Sequence, residues 1–169
     1  MKLLLAALLL IGAFNTFAAD PDIRPGEIVS LIERREMDGV QSYMIGTYHG
    51  VNKYTLERSY DVSPLRFYAE TGEWVGSEGT KVEGVFRSPT YSYDIRNHLI
   101  GKMVREYHGF SSGDRIKLNV PEERAIYNAE IAFVFSNGVV VVKFVDNFKR
   151  VRTSVTTLKK LGLENNYEN

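Results

Sequence analysis

The strongest constraint on what this chain can fold into is a turn. Asn137-Gly138 lies between two long runs, 126–135 and 139–148, in which apolar residues recur at every second position or closer except at Asp146-Asn147. Asn-Gly favours a two-residue type I′ hairpin loop, because both central residues must take positive φ. That loop would pair Phe135 with Val140, Phe133 with Val142, Ile131 with Phe144 and Tyr127 with Phe148 on one face. Val134 with Val141, Glu130 with Val145 and Asn128 with Asn147 would share the other face. A slip of one residue would exchange the faces, so the sorting of aromatics onto one side supports the register. Near the turn both faces are apolar, which predicts a central hairpin covered on both sides.

The rest of the chain is punctuated in the same way. Asp38-Gly39, Thr71-Gly72, Ser77-Glu78-Gly79, Ser111-Ser112-Gly113-Asp114 and Asn137-Gly138 separate runs rich in Val, Ile, Tyr, Phe and Thr, the pattern of short strands between turns. A hairpin about Asp38-Gly39 would place Val29 and Leu31 on a face with Tyr48 and Met44, with Ile28, Ile32 and Ile45 opposite. Further strands are expected over 54–60, 65–70, 82–87 and 115–120. One segment has a different spacing. Ile95, Leu99, Met103 and Tyr107 recur every four residues beside Ile100 and Val104, which predicts one amphipathic helix near 94–107, capped by Asp94 and ended by Gly109. A second, short helix is expected over 156–162. The expectation is a mainly β (or α+β) fold: an antiparallel sandwich or barrel of about seven to nine strands with one amphipathic helix.

The N-terminus reads as an export signal, residues 1–19. Lys2 precedes the apolar run Leu3 to Phe14, and Thr16, Ala18 and Ala19 offer small residues for cleavage. The run is too short to cross a bilayer as a helix. A Pro/Gly-punctuated flexible leader, 20–26, would then precede a single β-rich domain over 27–163 and a polar tail over 164–169. There is no cysteine, so no disulfide supplements the core and no thiol is available for lipidation. No asparagine past the signal begins an Asn-x-Ser/Thr pattern. These features together point to a periplasmic or secreted protein of a bacterial envelope. Lys2 is the only charge in the first nineteen residues, leaving 20 basic against 21 acidic residues. A near-neutral chain lacks the basic excess that nucleic-acid backbones require.

Chemical motifs are sparse. His49, His98 and His108 lack metal-ligand spacing, so neither a metal nor a cofactor is expected. Asp94 and His98, four apart on the expected helix, are the weak catalytic candidates, a carboxylate orienting a general base. The simpler reading is a capping aspartate. Gly72, Gly76, Gly79 and Gly84 make a glycine-dense stretch, but Gly79-Thr80-Lys81 does not match a phosphate loop. Trp74 in that stretch, with Tyr91, Tyr93 and His49, are the candidates for ligand or partner contact.

The function expected from these residues is a non-enzymatic binding or accessory domain. Its partner would be a small apolar or aromatic ligand, a glycan or an envelope protein, with no nucleic acid and no membrane span in the mature form. One alternative is a cell-wall-directed hydrolase assembled only in three dimensions. The other is a small outer-membrane barrel, which the continuous run Val139–Val142 disfavours, since membrane strands alternate.

Overall fold

The computed structural model describes residues 22–34, 42–52, 54, 58–76, 80–82, 85–87 and 89–163. The expected signal segment, the Asp38-Gly39 and Ser77–Gly79 turns and the polar tail lie outside the described residues. Among those described there are fourteen strands, one 3-10 turn (Pro121–Glu123) and no α-helix. The strands are β1 (Ile28–Glu33), β2 (Tyr43–Asn52), β3 (Ser59–Tyr68), β4 (Glu73–Gly76), β5 (Thr80–Val82), β6 (Val85–Arg87), β7 (Tyr91–Asp94) and β8 (His98–Val104). They continue as β9 (Glu106–Tyr107), β10 (Phe110–Ser111), β11 (Arg115–Val120), β12 (Ala125–Phe135), β13 (Val139–Val145) and β14 (Val151–Thr157).

Ten strands form one antiparallel sheet, ordered β14-β13-β12-β8-β1-β2-β3-β4, with β11 also on β12 and β7 also on β3. β5–β6 and β9–β10 form separate two-stranded hairpins. β8 joins the two halves: Val29 to Glu33 pair with Lys102 to His98, and Met103 and Val104 pair with Phe135 and Val134. The sheet curls, so that Ile32 and Ile45 of one half pack against Phe135, Val139 and Val141 of the other. Two further clusters cover its convex side. One holds Val29, Leu31, Tyr48, Tyr60 and Val62, and the other Leu118, Tyr127, Ile131, Val140, Val142, Phe144 and Leu158. Within the expected leader, Ile23 packs on the first of these, and Gly26 N–H donates to Tyr48 O at 2.7 Å. Across the curl, Thr153 Oγ1 of β14 donates to Phe67 O of β3 at 3.2 Å. No ladder joins those two strands, and the sheet is not closed into a barrel.

The amphipathic helix expected near 94–107 is not formed. Residues 95–97 make a turn between β7 and β8, and 98–104 are extended. A spacing of four is common to both periods, since it is an even number of strand residues as well as about one helical turn. In β8 apolar residues pack on both faces, Ile100 and Val104 on the convex clusters and Met103 on the concave one, while Leu99 stays 44% exposed. Asp94 does cap, but it caps a turn. Its Oδ1 accepts from Arg96 N–H at 2.9 Å, and its carbonyl from Asn97 N–H at 3.1 Å. His108 (φ 51°) and Gly109 (φ 79°) form the tight loop of the β9–β10 hairpin. The short C-terminal helix is likewise absent, because β14 runs to Thr157 and turns follow.

The central hairpin is present with a different register. Gly138 N–H bonds to Phe135 O at 2.9 Å, and Gly138 alone in this loop has positive φ, at 80°. This is a three-residue loop, a type I turn completed by a left-handed glycine. Val134 therefore faces Val140 and Phe133 faces Val141, and a bulge between Ile131 and Phe133 restores Ile131 opposite Val142. Tyr127, Ile131, Val140, Val142 and Phe144 share the convex cluster as expected, whereas Phe133 and Phe135 belong to the concave side. Phe148 is 78% exposed in the loop after β13. The β1–β2 register differs by two positions from that of a tight Asp38-Gly39 turn, with Leu31 opposite Met44. A shift of two preserves faces, so the expected sorting of Val29 and Leu31 with Tyr48 holds. Residues 115–120 form a strand to the residue.

Candidate functional site

The concave face of the curled sheet is built from alternate residues of four neighbouring strands. Along β13 it reads Val139, Val141, Lys143, Val145. The register carries the pattern sideways: Val141 faces Val155, Lys143 faces Thr153 and Val145 faces Val151 on β14. Lys143 also faces Glu130 on β12, which faces Arg115 on β11, and Lys117 faces Asn128. The β11 and β12 side of the face is thus polar and charged, and the β13 and β14 side is mostly aliphatic, with Lys143 between the valines.

The opposite wall comes from β3 and β4. Phe67 faces Trp74 across that pair, and both rings meet Phe133, with centroids 4.8 Å (Phe67) and 5.0 Å (Trp74) away. The bulge in β12 turns Phe133 toward this wall. Pro64 lies where β3 changes partner, its earlier residues pairing with β7 and its later ones with β4. A residue without an N–H suits such a switch point.

Between the walls runs a cleft in two stretches. The narrow one, about 210 Å³, is lined by Tyr43, Leu65, Phe67, Trp74, Val141 and Val155 among others. The wide one, about 750 Å³, is lined by Ala69, Arg115, Lys117, Glu130, Lys143 and Val151 among others, within the usual size range of small-molecule sites. The Thr153–Phe67 hydrogen bond marks the waist between them. Val145 and Val151 are 54% and 39% exposed in the wide stretch. Lys143 Nζ bridges Glu130 at 2.8 Å, and Lys117 Nζ donates to Asn128 Oδ1.

The residues singled out in the sequence are dispersed. Trp74 lies half-buried in the cleft wall. Tyr91 is 49% exposed on β7, and Tyr93 packs on the convex cluster with its ring on His98, centroids 5.3 Å apart. Burial, then the neighbouring Tyr91, pushes the Tyr93 phenol up, so it holds its proton at neutral pH. Asp94 and His98 lie on two strands across a turn. His98 Nδ1 is 3.0 Å from the Asp94 carbonyl oxygen, while the Asp94 carboxylate takes hydrogen bonds from Arg96 and Asn97. His49 is the extra residue of a bulge in β2 opposite β3. Its Nε2 lies 2.7 Å from Ser63 Oγ, which lies 3.0 Å from Thr90 Oγ1.

Sequence reasoning missed Ser63, Thr90, Phe67, Arg115 and Lys117. Each is common in its local context, and only the sheet order brings them beside the residues they meet. Strand alternation could have flagged Lys143, the single charge among the concave-facing valines of β13. No family model matches the chain, and no characterised protein or solved structure shows significant similarity to it.

Proposed function

We propose that this protein is an exported, non-enzymatic binding or accessory domain of the bacterial cell envelope, taking a small apolar or aromatic ligand in the cleft between the two halves of its sheet. The observation that carries this reading is the cleft itself, a concavity walled by Phe67 and Trp74 and floored by partly exposed valines. Export rests on the Lys2, Leu3–Phe14 and Ala18-Ala19 pattern. No helix among the described residues is long and apolar enough to cross a membrane.

Trp74 is the only tryptophan, so its emission reports on the cleft without labelling. Titration with the neutral dye N-phenyl-1-naphthylamine should give saturable energy transfer from Trp74. Val155→Asp, a change at a cleft-lining position that is 39% exposed, should abolish it while leaving the thermal melt in place. No saturable response to this dye or to a panel of neutral aromatic compounds would refute the ligand reading. Specific capture of one envelope protein would then favour the accessory role. Release of the mature protein by osmotic shock, without detergent, tests the compartment.

The second reading is a hydrolase, and the His49–Ser63 contact is the observation that favours it. A serine hydroxyl 2.7 Å from an imidazole nitrogen has the spacing of a nucleophile and its base. Fluorophosphonate labelling found on Ser63 by mass spectrometry, and lost in His49→Ala, would support it. An unlabelled Ser63 would remove it.

A further inference from the structure

We infer that the ligand is an anionic amphiphile with a single apolar chain, bound with its carboxylate or phosphate head at Arg115 and Lys117 and its chain over Val145 and Val151 toward the Phe67–Thr153 waist. This rests on the reading of the cleft as a ligand site and specifies what the site selects.

The argument is the direction of polarity across the strands of the cleft. Val141 and Val155 face one another beside Phe67 and Trp74 at the narrow stretch. Two residues further along β13 comes Lys143, then Val145 beside Val151, and across β12 from these the lining adds Arg115 and Lys117 on β11. Glu130 is the one carboxylate of the wide stretch, and it bridges Lys143 at 2.8 Å. The exposed Glu70 of the adjoining turn and Glu73 at the start of β4 lie outside its lining. The positive excess therefore falls to Arg115 and Lys117, and the Lys117 ammonium donates to the neutral amide of Asn128. A chain balanced overall at 21 basic and 21 acidic residues has thus placed cations along one side of a cleft whose other side carries valines. A guanidinium suits a carboxylate or phosphate by its paired N–H donors. The valines stay partly exposed at positions where an apolar chain would remove them from water. A single chain fits better than a diacyl lipid, because the sheet walls approach to hydrogen-bond distance at the waist.

The test is isothermal titration of the full mature protein with monomeric twelve-carbon probes below their micelle concentrations. Dodecanoate and dodecyl phosphate should bind with one-site saturation, at least about tenfold more tightly than dodecyltrimethylammonium or dodecanol. Raising the salt concentration should weaken the anions and leave dodecanol unchanged. The double neutralisation Arg115→Gln/Lys117→Gln should erase the preference for anions without lowering the melting temperature, since both side chains are exposed. Dodecanoate and dodecyl phosphate serve as separate arms, and a response to only one names the head group. Equal binding of the cationic and anionic probes would overturn this inference and leave the apolar ligand site standing. Absence of binding by every probe, dodecanol included, would overturn both. Sedimentation with phosphatidylglycerol vesicles, without binding of either monomeric anion, would replace it with a membrane surface.

Discussion

At the scale of single residues, Asn137 does more than make a turn. Its Oδ1 accepts from Ser30 Oγ at 2.7 Å, and its Nδ2 donates to the carbonyls of Ser30 and Leu99 at 3.3 Å each. The side chain lies against Gly101, where any Cβ would collide with it. The hairpin tip is thereby locked onto β1 and β8. Asn137→Ala should cost about 1–3 kcal/mol, since it also strands the buried Ser30 hydroxyl. Gly101→Ala should be costly alone and only partly relieved in the Asn137→Ala background, because the added Cβ would also come within 2.8 Å of the Asn137 backbone nitrogen. Urea melts of the four proteins test that coupling, and strict additivity would contradict the contact.

Asp146 is the second such residue, its side chain 1% exposed. Its Oδ1 accepts from the Phe148 and Arg150 amides at 2.9 and 3.0 Å, and Oδ2 from Arg150 Nε at 3.0 Å. Burial pushes the carboxyl up, but these hydrogen bonds and the guanidinium outweigh it and hold it below the ordinary aspartate value. Hydrogen bonds from Arg152 and Tyr127 lower Glu123 likewise. A depressed folded value means that the stabilisation is complete above about pH 4 and is lost as pH falls through that lower value. Melting temperature should drop steeply below pH 4, and Asp146→Asn should flatten that drop in thermal scans from pH 7 to 2.

At the scale of elements, the bulge in β12 decides which aromatics fill which cluster. Phe135 is fully buried, Phe133 half-buried against Trp74, and Phe148 78% exposed. Phe135→Ala should cost about 3–5 kcal/mol and Phe148→Ala under about 0.5 kcal/mol. Phe133→Ala should fall between them and alone shift the Trp74 emission. Urea unfolding followed by fluorescence reads both quantities, and a larger loss at Phe148 than at Phe135 would refute the register. The alternation of these strands was legible in the chain because a sheet side chain changes face every second residue. The bulge was not, because its extra residue, Ala132, leaves no local signature, and the packing of Phe67 and Trp74 on the neighbouring Phe133 comes from strands remote in sequence.

At the scale of the whole molecule, β8 pairs with both halves of the sheet, and the concave cluster draws on both. Neither half has a private core on that side. Unfolding should therefore be one transition, with near-ultraviolet and far-ultraviolet circular dichroism superimposing through a urea melt. Val29→Ala in one half and Val142→Ala in the other should each displace that same transition, since both are fully buried. Two separable transitions would show that the halves fold independently.

The sequence alone determined that the chain would be an antiparallel β protein with Asn137-Gly138 at a hairpin tip, the face of Val140, Val142 and Phe144 on β13, and the strand 115–120. Each follows from backbone preference or from a period of two, which act over a few residues. The tertiary structure alone decided that 98–104 is a strand, because a spacing of four fits either period and only coverage on both faces separates them. It alone set the loop at three residues and turned Phe133 toward Trp74. It also brought Arg115, Lys117 and Lys143 into one cleft with the partly exposed Val145 and Val151. Those residues lie on different strands and meet through a sheet order in which β8 falls between β12 and β1, a long-range pairing that no local pattern encodes.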